Sequence, residues 1–228
     1  MRIDLHTHSI FSDGADTPER MVARAKAIGL DGFALTDHDT TAGWKRAIEA
    51  GNRLGVIIVP GKEIALRIGH RKIGEILALF LQEDIKLNQM VDVGEIIDRI
   101  KAQGGISAIP HPFNVWMWRK NGLKTIEAAR KKNRKVDAIE VMNGRNLKSP
   151  NDKCYEYAIK NKYPKIAGSD AHLAKEIGNA YTLCETNDLE EFKKLIKKNK
   201  TFVLGNQRTF YSIVGGMITT KSRRFFRI

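Results

Sequence analysis

Five of the six histidines in this chain lie just beyond short apolar runs, most of them next to carboxylates. His6 and His8 occupy alternate positions of Asp4-Leu-His-Thr-His-Ser, and side chains at i and i+2 of a strand project on one face. Two neutral imidazoles converging beside carboxylates suit a zinc-like or manganese-like ion. His38 follows Gly32-Phe-Ala-Leu in Thr36-Asp-His-Asp. His111 follows Gly105-Ile-Ser-Ala-Ile in Pro110-His-Pro, and His172 follows Pro164-Lys-Ile-Ala in Gly168-Ser-Asp-Ala-His. Four such motifs at the ends of four apolar runs predict a single rim, because parallel α/β barrels assemble their sites at the C-terminal ends of several strands. His70, within Arg67-Ile-Gly-His-Arg-Lys, reads as a solvated loop residue.

The elements that must position these side chains alternate along the chain, in the pattern of a βα-repeated parallel sheet. Strands are expected at Arg2–His6, Gly32–Thr36, Val56–Val59, Glu75–Phe80, Gly105–Ile109, Val136–Val141, Lys165–Gly168 and Thr201–Leu204. Between them, Thr17-Pro18 starts a helix with the stripe Met21, Val22, Ala25 and Ile28, closed by Gly29. Trp44, Ala47, Ile48 and Leu54 mark a second helix. Asp92 and Glu95 form a capping box ahead of Ile96, Ile97 and Ile100, with Gly104 as the stop. Ser149-Pro150 opens a helix carrying Tyr155, Ala158 and Ile159, and Asp188 and Glu191 cap a last one with Phe192, Leu195 and Ile196. All these stripes read as core-facing.

Bulk properties set the outer bounds. The chain has 228 residues, 42% hydrophobic and 29% charged, as expected of a soluble domain with one sizeable core. No apolar stretch approaches the length of a membrane span, and the start of the chain lacks a leader pattern, so a cytoplasmic location is expected. Cys154 and Cys184 are distant from each other and read as buried small residues. Net charge is +13, and from Phe192 to Ile228 there are ten basic residues and no acidic one. This end reads either as an anion-attracting segment for nucleic acid, a phosphate-rich substrate or a membrane surface, or as a solvated face.

Taken together, His6-Thr-His-Ser, Ser12-Asp-Gly, Thr36-Asp-His-Asp, Pro60-Gly-Lys-Glu63, Pro110-His-Pro-Phe and Gly168-Ser-Asp-Ala-His resemble the PHP (polymerase and histidinol phosphatase) family, and most of all its small stand-alone phosphoesterases. The resemblance runs in order from about Met1 to Gly205, leaving 206–228 as a basic extension. It implies an α/β fold, a distorted (β/α)7 barrel of the TIM type, with two or three divalent ions (manganese, zinc or iron) at the strand C-terminal rim. It implies that His6, His8, Glu63 and Asp170 hold one ion and that Asp13, His38 and His172 hold a second. A third would be held by His111 and Glu75, with Glu63 bridging. Asp13 and Glu75 stand where other members carry histidine.

Such a ligand set implies hydrolysis of phosphate esters, with a metal-bound hydroxide as nucleophile, since no Ser-His-Asp arrangement or P-loop is visible. Asn143 and Arg145, in Glu140-Val-Met-Asn-Gly-Arg, are expected on the same rim as substrate contacts, with Arg119 as a further one. Arg145 is suited to grip a phosphate bidentately, and Trp116 and Trp118 to stack a base. The expected substrate is a small phosphorylated metabolite or a short oligonucleotide end. Two alternatives stay open: a barrel amidohydrolase, which also begins with His-x-His, and a non-catalytic metal- or RNA-binding subunit.

Overall fold

In a computed structural model the described residues are 1–68, 71–86, 92–113 and 121–206. His70, Trp116, Trp118, Arg119 and the basic end beyond residue 206 lie outside them. Nine strands form one sheet in the order β7-β6-β5-β4-β3-β2-β1-β8-β9. They are β1 (Arg2–Thr7), β2 (Gly32–Leu35), β3 (Ile57–Ile68), β4 (Arg71–Leu79), β5 (Ile106–Ile109), β6 (Ala138–Asn143), β7 (Lys165–Gly168), β8 (Ala180–Leu183) and β9 (Phe202–Gly205). The helices are α1 (Pro18–Ala27), α2 (Trp44–Leu54), α3 (Val93–Ala102), α4 (Asn121–Lys131), α5 (Lys148–Lys160) and α6 (Leu189–Lys197).

Strands β1 to β7 curl into a nearly closed barrel, the expected α/β class. The strands are apolar on both faces because helices cover the outside and side chains fill the inside; β2 and β5 are buried at every position. The sheet closes at one end only. A parallel bridge joins Thr7 to Ala171, with His8 N–H donating to Ala171 O (2.8 Å) and Asp170 N–H to His6 O (2.8 Å). At the other end β8 pairs with Arg2 and Ile3 of β1. Buried Asp4 bridges the parted strands, accepting from the N–H groups of Ser169 (2.8 Å) and Gly178 (2.9 Å). Burial raises its carboxyl to about 6 against those bonds.

Several expectations need correction. The sheet is not wholly parallel: β4 runs antiparallel to both β3 and β5. Strand β3 continues past Val59 to Ile68, and β4 begins at Arg71 rather than Glu75, so the two make a long hairpin. Strand β8 and helix α4 were not anticipated. The first has no continuous apolar run and only alternate residues buried, and the second buries little beyond Ile126 and Ala129. On α5 the buried positions are Pro150, Asn151, Cys154 and Ala158, while Tyr155 and Ile159 are exposed, so of the expected stripe only Ala158 faces the core.

Capping largely follows the sequence. Thr17 accepts from Arg20 N–H with Pro18 at the first helical position, and Asp188 accepts from Glu191 N–H (2.6 Å). Only half of the Asp92–Glu95 capping box forms. Asp92 accepts from Gly94 and Glu95, whereas the Glu95 carboxylate pairs with Arg99 one turn along. Both cysteines are buried, as expected.

Candidate metal centre

The rim formed by the strand ends gathers nine side chains from distant parts of the chain: His6, His8, Asp13, His38, Glu63, Glu75, His111, Asp170 and His172. His6 lies near the end of β1 and His8 directly after it, both rings fully buried and pointing the same way, with their Nε2 atoms 3.0 Å apart. Glu63 Oε2 lies 3.4 Å from both nitrogens, and Asp170 Oδ1 lies 3.4 Å from His8 Nε2 and 3.8 Å from His6 Nε2. A second group surrounds Asp13, whose Oδ2 is 3.0 Å from His172 Nε2 and 3.6 Å from His38 Nε2, and whose Oδ1 is 3.7 Å from His8 Nδ1. On the other side Glu63 Oε1 faces His111 Nε2 (3.4 Å), while His38 Nδ1 lies 3.1 Å from Glu63 Oε2 and 3.9 Å from Glu75 Oε1. His8 thus faces one group with each ring nitrogen.

Glu75 reaches this rim because β4 is reversed. Had the strand begun at Glu75 and run parallel, as the sequence suggested, that residue would lie at the far end of the barrel. Here Glu75 sits opposite Ala65 on β3, two residues beyond Glu63 on the same face. Its carboxylate pairs with Lys72.

The loops are held as firmly as the strands. Asp13 rides on a turn after β1 that Asp37 fastens, accepting from Ser9 N–H (2.7 Å), Ser9 Oγ–H (2.6 Å) and Ser12 Oγ–H (2.7 Å). Gly14 is required there, since a Cβ would lie 2.2 Å from His8 O. His111 (φ 29°) and Asp170 (φ 53°) adopt left-handed backbone, which residues other than glycine accept at a cost that concentrates at functional sites. Sequence reasoning overlooked the group that holds one of them. Glu140, 1% exposed on β6, accepts from His111 N–H (2.8 Å) and Asn143 Nδ2 (2.9 Å), and its other oxygen lies 2.9 Å from His6 Nδ1. An acidic residue inside the apolar run Ala138-Ile-Glu-Val was the available signal.

Asn143 and Arg145 sit differently from each other. Asn143 is buried behind the cluster, with its amide directed at Glu140 and Asp170. Arg145 is half-buried at the rim, and its charge favours the ionised form of Asp170.

Charge in the cluster is mutually arranged. Burial alone would neutralise Glu63 and Asp170, but the surrounding imidazoles hold both well below the usual carboxylate range. Asp13 is likewise held low, mainly by His172 against its own burial. Burial and the neighbouring His172 push His8 down to about 4, leaving its ring neutral, the form that ligates metal. Three buried polar atoms have no hydrogen-bond partner among the described residues: His8 Nδ1, Asp13 Oδ1 and Glu63 Oε1. Such atoms are costly to bury unpaired. All three point into the cluster, so the donor set fits divalent cations.

Replacing Glu140 by glutamine is expected to weaken manganese binding by about 10–100-fold, the usual effect of removing a carboxylate that orients a ligating histidine. Titration of the metal-free protein by calorimetry checks this; an unchanged affinity would exclude an orienting role.

Comparison with known proteins places this geometry. The chain is 34% identical over 182 residues to the uncharacterized protein MJ0417 of Methanocaldococcus jannaschii, covering 79% of this chain and 69% of that one. Residues 148–201 match the PHP_C, or PHP-associated, family model. The fold superposes, with a TM-score of 0.73 and 20% identity, on a two-domain Bacteroides vulgatus protein containing a predicted PHP-like metal-dependent phosphoesterase, over 96% of this chain and 69% of that one. The chain belongs to the PHP family. Within the family, 62 residues are 50% identical to the phosphoribosyl 1,2-cyclic phosphate 1,2-diphosphodiesterase of Eggerthella lenta, 27% of this PHP chain and 24% of that one.

Proposed function

We propose that this PHP domain is a metal-dependent hydrolase of phosphate esters, acting on a small phosphorylated metabolite or a short nucleic-acid end. The observation that carries the reading is the convergence of five imidazoles and four carboxylates on one rim, with three orphaned donor atoms aimed inward. His6, His8, Glu63 and Asp170 would hold one ion and Asp13, His38 and His172 a second, with His8 Nδ1 facing the latter. Glu63, His111 and Glu75 would hold a third.

Bound divalent ions would supply Lewis acidity toward phosphoryl oxygens and activate water at neutral pH. The chain's own residues do the rest. Glu140 fixes the ring of His6 and the turn at His111. Asp37 fixes the loop of Asp13. Asn143 supports Asp170 from behind, and Arg145 at the rim is placed to pair with a phosphate oxygen. Lys72, now on Glu75, is a second cation beside the same opening.

The test is hydrolysis of p-nitrophenyl phosphate, bis-p-nitrophenyl phosphate and mononucleotides by the protein before and after manganese or zinc is added. Turnover that requires the ion supports the reading. Amide hydrolysis without phosphatase activity would replace it with the amidohydrolase alternative. Metal addition is also expected to raise the melting temperature. Saturation at about 1,000 Kd stabilises by about 4 kcal/mol, or roughly 8–16 °C for a domain of this size. A scan with and without chelator reads this directly.

A further inference from the structure

The end of the barrel opposite the metal rim has its own chemical character. Six helices close there with the same backbone turn, but in two different ways. After α1, α2 and α3 the left-handed residue is glycine: Gly29, Gly55 and Gly104. After α4, α5 and α6 it is Asn133, Lys162 and Asn199. The hydrogen bonds match. Arg134 N–H donates to Ala129 O, Tyr163 N–H to Ala158 O and Lys200 N–H to Leu195 O, each at 2.9 Å. A side chain is therefore kept where glycine would carry less strain.

Around those three turns the sequence reads Lys-Lys-Asn-Arg-Lys at 131–135, Lys-Asn-Lys at 160–162 and Lys-Lys-Asn-Lys at 197–200. Complementing a helix dipole takes one or two cations in the last turn, as α1, α2 and α3 have. The last turns of α4, α5 and α6 hold as many, and the runs add further cations just beyond the helix ends. They also adjoin in space: Arg130 donates to Asn161 Oδ1 (3.3 Å), Lys165 Nζ to Asn199 Oδ1 (2.8 Å) and Thr201 Oγ to Lys165 O (3.2 Å). Lys132 and Arg134 are paired with Asp92 and Asp98. Among the described residues no carboxylate pairs with Lys131, Lys160, Lys162, Lys197, Lys198 or Lys200, all of them exposed.

We infer that this face, formed by the C-terminal turns of α4, α5 and α6, binds the phosphate backbone of a nucleic acid without reading its sequence. Dispersed lysines on flexible stems match a chain of phosphates better than one small anion, and neutralising phosphates releases counterions. Protein interfaces are depleted in lysine, and the three runs hold only basic residues and asparagine. The rings of Tyr163 and Tyr155 lie beneath Lys135 and Lys165, so backbone contact rather than base stacking is the mode. The inference does not depend on the hydrolytic activity.

The test uses the full chain in chelator, a fluorescein-labelled oligouridylate and anisotropy over a salt series. The variant Lys131→Glu/Lys160→Glu/Lys198→Glu is expected to lose at least about tenfold in affinity. Its slope of log K against log salt should be shallower by about 2, at roughly 0.7 per lost single-strand phosphate contact. The triple glutamine variant should lose less, and both should melt like the parent and retain its activity on p-nitrophenyl esters. Unchanged affinity and slope would overturn the inference. So would vesicles of phosphatidylglycerol, or an acidic polypeptide, proving to be what the variant loses while oligouridylate binding stays.

Discussion

Glu63→Gln is expected to reduce manganese affinity and ester hydrolysis by more than about 100-fold each. The bound is set by comparison: carboxylates standing behind a ligand already cost 10–100-fold when removed. Glu63 stands in front, with one oxygen 3.1–3.4 Å from His6, His8 and His38 and the other 3.4 Å from His111. Glutamine preserves volume and one acceptor but removes the charge that four imidazoles share. The metal-free protein should suffer too. Despite burial, His111 is lifted to about 9 with Glu63 its principal carboxylate partner, and His6 is lifted by Glu140 and Glu63. Removing one partner of a buried ion pair costs about 3–5 kcal/mol, or roughly 6–20 °C in melting temperature at this chain length. Calorimetric metal titration and thermal scans in chelator measure both. Parent-like metal affinity in the variant would remove Glu63 from the ligand set.

Gly168→Ala is expected to destabilise the fold by about 3 kcal/mol or more and to weaken metal binding as well. Gly168 ends β7 against the last turn of β1, where an added Cβ would meet His6 Cβ at 2.4 Å, His6 N at 2.7 Å and Glu140 Oε1 at 3.0 Å. Backbone cannot yield as a flexible side chain can, and overpacking of this kind costs at the upper end of the usual range. The strands must part where the barrel closes, and His6 and Glu140 move with them. Gly104→Ala is the control. Its Cβ would meet nothing within 4 Å, so only left-handed strain applies and metal affinity should hold. A Gly168→Ala protein with parent-like melting and titration curves would contradict the close packing of β1 on β7.

Much of the centre is legible in the sequence because its residues come in short local motifs at strand ends. The His-x-His pair and the His38, His111 and His172 motifs need only strand periodicity to be placed on one rim. Glu75 was harder. Its side of the barrel depends on the direction of β4, and strand direction is set by pairing with β3, not by any local pattern. Glu140 and Asp37 were passed over since each acts through a hydrogen bond to a residue far along the chain. The error on α5 has a local cause. Tyr155 and Ile159 share a helical stripe as Cys154 and Ala158 do, one position round, and the expected stripe of Tyr155, Ala158 and Ile159 mixed the two. The structure packs Cys154 and Ala158 into the core cluster and leaves Tyr155 and Ile159 exposed.

The reversed strand has an evolutionary consequence. Residues 65 and 75 face each other across the hairpin, so its outer part can grow or shrink by one residue on each arm without turning Glu75 away from Glu63. The arms are already unequal: Leu66 pairs with Gly74 and Arg67 with Lys72, so a bulge at Ile73 absorbs one extra residue while Glu75 keeps its place opposite Ala65. The outer hairpin is therefore free to vary in length, evenly or through a bulge, which lets a lineage reshape this edge of the barrel while Glu63 and Glu75 keep their register.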